Sequence, residues 1–317
     1  DVYKRQGIIS PLDNAESISL LSSLNNSDIP VLLTNRHETE VKKINQNAFL
    51  LSSSYTVEGR IAAQYIVKHL GLDSIAVVAP ANKKTEIQID AFINEVNRLG
   101  GNVVATEWYT GEPKNLRRQF KYLRKVAFEL EEKKKTFDVA LGMDLDSLDA
   151  LFDVSADDFF DLPKPDKKSM SSNDSSKVVL KTIQAIYLPI NHQDLEYIGP
   201  QIPMYNFETK IVGNASWQQL EILTKENIGP HLRGMSIISN LYITDIDTFE
   251  ISFENYYQYQ LGNLTSKFLT SLSLNDMSRS SFKNSLQEIE MYEGKGFNYY
   301  PLESNNKINS AFQLINF

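Results

Sequence analysis

Apolar positions in the first half of the chain follow two alternating patterns. Continuous apolar runs at 7–10, 29–33, 47–51, 74–79 and 102–106 are too short for helices and suit buried strands. Between them the spacing is helical. Apolar residues fall at 15, 18, 20, 21 and 24. Val57, Ile61, Ala62, Tyr65, Ile66, His69 and Leu70 line one stripe of 55–70, and Ile89, Phe92, Ile93, Val96 and Leu99 line one of 85–99. Gly71 and Gly100-Gly101 stand where these helices should stop. Uniformly apolar strands separated by amphipathic helices predict an α/β fold whose parallel sheet is covered on both faces. Right-handed crossovers then wind it doubly.

The pattern changes beyond residue 113. A long charged helix is predicted over 113–135, an Asp-rich stretch follows at 144–158, and 163–177 is almost devoid of apolar residues. Such a stretch buries too little surface to offset its chain entropy, so a mobile insertion is expected at about 161–178. Strands are predicted at 182–189, 210–213 and 234–239. Helices are predicted at 194–201, from Ser216, and at 249–261, 264–272 and 280–289. Closing strands are predicted at 292–300 and 311–317, and no internal repeat is visible.

Composition narrows the function classes. The 317 residues suffice for two lobes with separate cores. The net charge of −8 makes a nucleic-acid partner unexpected. There is no cysteine, which removes disulfides, thiol catalysis and Cys-based metal sites. His37, His69, His192 and His231 lack metal-ligand spacing, and no nucleophile elbow, P-loop or dinucleotide fingerprint is present. No catalytic residue, metal or cofactor is therefore expected, and no run is apolar enough for a transmembrane segment. Residues 1–6, Asp-Val-Tyr-Lys-Arg-Gln, read as an adapter-derived scar, and the chain as an N-terminally truncated fragment.

The ordered set of segments resembles a known family. Ile8-Ile9-Ser10-Pro11-Leu12 and Ile29-Pro30-Val31-Leu32-Leu33-Thr34 are similar to the early strand–loop segments of type I periplasmic binding proteins of the leucine-binding-protein-like branch. Ala48-Phe49 through Gly59-Arg60 and Tyr65, then Ile75 to Ala79, then Ala91-Phe92, Val96, Gly100-Gly101 and Val103-Val104 continue the likeness. Gln184-Ala185-Ile186-Tyr187-Leu188-Pro189 follows in order. Ile198-Gly199-Pro200-Gln201, Tyr205 and Val212-Gly213-Asn214-Ala215-Ser216-Trp217 most resemble the penicillin-binding-protein activator branch. The chain departs from the family in lacking its first strand and helix. It also departs at Lys84-Thr85, where the family carries Tyr-Gly, and near Leu261-Gly262-Asn263, where a late Tyr-Asp-Ala motif is expected.

The resemblance implies two Rossmann-like lobes with parallel sheets. Residues 7–52 with 241–290 would form lobe 1, and 53–240 with 291–317 lobe 2. Hinges would lie near 52, 240 and 290. In such sheets ligands sit beyond the carboxyl ends of strands. Ser10, Asp13, Asn35, Arg36, Ser53, Tyr55, Asn82, Asn214 and Trp217 are the candidate ligand-binding residues on that rule. Arg36 could clamp a carboxylate and Tyr55 or Trp217 could stack on a ligand face. Helix capping would equally explain Asp13, Ser53 and Ser216, a surface loop Arg36, and core packing Trp217. The expected function is non-catalytic binding of a small polar, amino-acid-like ligand between the lobes. The alternative is an envelope lipoprotein of the penicillin-binding-protein activator type that binds a periplasmic or membrane protein partner. Either places the protein in the periplasm or at the outer membrane.

Overall fold

The computed structural model describes residues 6–38, 40–141, 177–217, 225–240 except 227 and 233, 262–301 except 263, 264, 273, 275, 277, 295 and 296, and 308–316; of 134–141, 294 and 297 the backbone alone is described. The insertion expected at 161–178, the Asp-rich stretch and the helix at 249–261 lie, wholly or nearly so, outside these residues, as do positions 1–5.

The strands form two parallel sheets, as the apolar runs require. β1 (Ile8–Ser10), β2 (Val31–Leu33) and β3 (Ala48–Leu50) pair in that order, all parallel. The larger sheet contains β4 (Ser74–Pro80), β5 (Asn102–Tyr109), β6 (Ala185–Leu188), β7 (Lys210–Asn214), β8 (Ser236–Ser239) and β11 (Gln313–Asn316), in the order β11-β8-β7-β6-β4-β5. β9 (Tyr292–Gly294) and β10 (Phe297–Tyr299) form a separate hairpin. β11 departs from the parallel expectation. It runs antiparallel to β8 at the sheet edge, and its alternating half-buried and exposed residues fit a strand paired on one side.

Continuous apolar runs are needed because each central strand feeds two cores. In β4, Ile75, Val77 and Ala79 pack on one face while Ala76 and Val78 pack on the other. In β2, Leu32 joins one cluster and Val31 and Leu33 the opposite one. The helices α1 (Asn14–Ser23), α2 (Val41–Ile44), α3 (Tyr55–Gln64), α4 (Lys83–Arg98), α5 (Arg117–Leu141), α6 (His192–Ile198) and α7 (Arg279–Glu288) connect the strands or follow them. Residues 265–271 are also helical.

Local chemistry sets the helix ends. The Ser54 side chain accepts from the Val57 N–H at 3.2 Å to open α3, and Asn82 accepts from the Thr85 N–H at 3.0 Å to open α4. The predicted helix 55–70 changes to a π-helical turn at Tyr65–His69, where the Tyr65 hydroxyl meets Ser236 at 2.9 Å on β8. Gly71, with φ +67°, reverses the chain in the left-handed region. α5 starts at 117 rather than 113, where the Asn115 side chain accepts from the Arg117 N–H.

One part of the expected lobe division changes. Tyr292 and Tyr299 of the hairpin pack with Leu32, Phe49 and Phe268, so 292–299 sits with the small sheet, and 313–316 joins the large one. The crossing between them is held by buried Asn309. Its Nδ2 donates to the Leu51 and Asn298 carbonyls, both at 2.9 Å, and its Oδ1 accepts from the Tyr300 and Ala311 N–H groups.

Candidate functional site

The chain leaves β4 for β5 on one side of the large sheet and returns to β6 on the other. Crossovers diverge at that switch point and open a crevice beyond the strand ends. A cavity of about 670 Å³ lies there. Asn82 follows β4, Pro189 and Asn191 follow β6, Asn214 ends β7 and Asn240 follows β8; all line it. From the small sheet, Arg36 beyond β2 completes the lining, beside Tyr55 and Glu58 of α3, the helix reached from β3. Strand tips of both sheets thus face one space.

The polar groups of this space are largely orientated by the protein. Asn82 Oδ1 caps α4, accepting from the backbone and side chain of Thr85. Asn214 Oδ1 accepts from the Ser216 N–H at 3.2 Å and lies 2.6 Å from its hydroxyl. Asn240 Nδ2 donates to the Ser53 hydroxyl at 3.0 Å. Gln88, on α4, donates to the buried Tyr187 hydroxyl at 2.7 Å. Burial, with the Glu58 charge adding to it, holds that phenol protonated well above the usual tyrosine range.

Arg36 and Glu58 form the cavity's ion pair, 2.6 Å apart. The Glu58 side chain is 2% exposed, and a carboxylate so deeply buried requires a cation partner. The Arg36 guanidinium also lies 4.9 Å from the Tyr55 ring centroid. Lys83 and Lys84, in the first turn of α4, line the rim and make no ion pair among the described residues. The next carboxylate acting on them is Glu38. Burial raises its pKa, aided by Glu40, while Lys83, Lys84 and Arg36 pull it down.

Of the nine residues singled out from the sequence, Arg36, Tyr55, Asn82 and Asn214 line this cavity. The other five lie outside its lining. Ser53 is buried behind it, where its hydroxyl holds Asn240. Asp13 caps α1 through the Glu16 N–H at 2.9 Å, and Asn35 donates to the Pro11 and Leu12 carbonyls. Ser10 is buried at the end of β1. Trp217 is fully buried in the core, against Gly213. Arg36 differs from the expected carboxylate clamp in being engaged by Glu58. Asn191 and Asn240 stand just past strands and satisfy the rule that selected the others. Glu58, Lys83, Lys84 and Gln88 sit within helices, where sequence periodicity carries no such signal.

This architecture is the type I periplasmic-binding-protein fold. No protein-family model matches the chain, and no curated protein matches it. Solved structures do. A putative branched-chain amino acid ABC transporter protein from Rhodospirillum rubrum superposes with TM-score 0.67 at 14% identity, over 99% of this chain and 81% of that one. The branched-chain amino acid transporter substrate-binding protein from Streptococcus pneumoniae, in complex with isoleucine, matches with TM-score 0.53 at 11% identity over 98% and 79%. A periplasmic binding protein type 1 from Bordetella pertussis Tohama I matches with TM-score 0.55 at 10% identity over 98% and 77%. Among the described residues no helix is long and apolar enough to cross a membrane, and no cluster of metal-ligating side chains occurs.

Proposed function

We propose that this chain is a solute-binding domain that closes its two lobes on a small polar ligand of amino-acid size, without catalysing a reaction, in the periplasm or at the outer membrane. One observation carries the reading: residues beyond the carboxyl ends of β4, β6, β7 and β8 of the large sheet and of β2 of the small sheet line one polar cavity of about 670 Å³. That volume lies in the range of small-molecule sites. The solved structures of like fold include a substrate-binding protein holding isoleucine. Glu58 is the one carboxylate lining the cavity among the described residues, and Arg36 ties it down, which suits a positioning role better than proton transfer.

Thermal denaturation against a panel of amino acids, organic acids and sugars tests this. A ligand at about a hundred times its Kd adds roughly 2.7 kcal/mol to the native state and raises the melting temperature. Asn214→Ala should abolish that rise by removing both the cavity group and the acceptor for Ser216. If no compound moves the melting temperature, the partner-binding reading of the penicillin-binding-protein activator type takes precedence.

A further inference from the structure

We infer that the cavity selects a small hydrophilic organic acid with net negative charge, rather than a neutral amino acid with an aliphatic side chain; the inference rests on the solute-binding reading above.

Hydrogen-bond capacity is the first argument. The oxygens of Asn82 and Asn214 accept hydrogen bonds inside the protein, and their NH₂ groups, without a partner among the described residues, are left as donors for a ligand of the cavity they line. Lys83 and Lys84 add ammonium donors. Asn240 and Gln88 each use one N–H on Ser53 and Tyr187, and keep one N–H and a carbonyl acceptor. The strongest donors on this wall are charged, and the acceptors are neutral amides. A ligand rich in anionic oxygen satisfies the set, because charge-assisted bonds are the strong ones.

Charge balance points the same way. Glu58 is neutralised by Arg36 at 2.6 Å, so the cavity's net charge comes from Lys83 and Lys84. Glu38 beside them, whose pKa is raised chiefly by burial, carries at most one negative charge against their two positive charges. A cationic rim on a chain of net charge −8 concentrates anions against the molecule's overall field. The ammonium of a neutral amino acid would find its only cavity carboxylate already paired.

Apolar surface is the third argument. Among the lining residues, Tyr55, Pro189 and Ala215 are the apolar side chains, and Arg36 lies over the Tyr55 ring. A leucine or isoleucine side chain would be buried mainly against amides and charges, which forfeits the gain from removing it from water.

The test uses the whole chain, with calorimetric titration and melting temperatures for citrate, malate and gluconate beside leucine, isoleucine and arginine. At least one acid should bind, while leucine, isoleucine and arginine should not. Its affinity should fall as sodium chloride rises from about 0.05 to about 0.3 M, as screening weakens an exposed cationic rim. The Lys83→Gln/Lys84→Gln double variant should bind that acid about tenfold more weakly or worse. Tighter binding of leucine, isoleucine or arginine than of every acid overturns this inference and leaves the solute-binding reading standing. So does undiminished acid binding by the double variant. Silence from all six compounds overturns this inference, and silence from the whole panel of amino acids, organic acids and sugars overturns the solute-binding reading with it.

Discussion

At the scale of single residues, the buried charges decide most. Removing Arg36 would strand the Glu58 carboxylate, which is 2% exposed. Arg36→Ala should therefore cost about 3 kcal/mol in urea unfolding, and Arg36→Ala with Glu58→Gln should recover a large part of it. Glu95 on α4 is a second such group. Hydrogen bonding to Arg98, with Gln64 adding to it, outweighs desolvation and holds its pKa down to about 2 from an ordinary 4.5. A folded-state pKa below the unfolded value stabilises the protein above the unfolded pKa. That stability drains as pH falls from about 4.5 toward about 2. Urea midpoints should fall less between pH 6 and pH 3 in Glu95→Gln than in the parent chain. The Arg36–Glu58 pair was not visible in the sequence, where Glu58 reads as an ordinary helix carboxylate and its partner comes from a distant loop. The Glu95–Arg98 pair has the local i,i+3 spacing of one helix; only the contact with Gln64, from another helix, and the burial of Glu95 were hidden.

At the scale of elements, the contact between α3 and α4 shapes the large lobe's cavity wall. A Cβ at Gly59 would stand 2.1 Å from the Gln88 carbonyl oxygen, on the helix that carries Lys83 and Lys84 and that Asn82 caps. A Gly→Ala change inside a helix normally stabilises by about 1 kcal/mol. Here the sign should reverse, because backbone cannot yield as a side chain can. Gly59→Ala should lose about 2 kcal/mol or more and weaken ligand binding together with stability. Urea titration and calorimetry on one preparation check both. The helices themselves were legible. Ile89, Phe92 and Val96 are buried as their spacing requires, and Gly71 and Gly100 take positive φ at the stops. The π-helical turn at Tyr65–His69 was not legible, because it coincides with a hydroxyl contact to β8, distant in sequence.

At the scale of the whole molecule, two sheets share a cavity and are joined by chain crossings at the end of β3, after β8 and around Asn309. Ligand that bridges the walls should favour a closed arrangement. Small-angle scattering should show the radius of gyration falling on addition of a binding compound, and an unchanged radius with ligand bound would argue for a rigid cleft. The sequence by itself determined the α/β class, the order of strands and helices, and which faces are buried. Those depend on periodicity and capping within a few residues, and both are local. Tertiary structure alone decided which strand-end side chains meet. Asp13 turns back to cap its own helix and Trp217 turns into the core, while Arg36, Tyr55, Asn82 and Asn214 turn into the cavity. It also decided that the hairpin at 292–299 joins the small sheet and that β11 runs antiparallel. The physical reason is that a side chain's direction beyond a strand, and the partner of a buried charge, depend on residues far away in sequence that folding alone brings near.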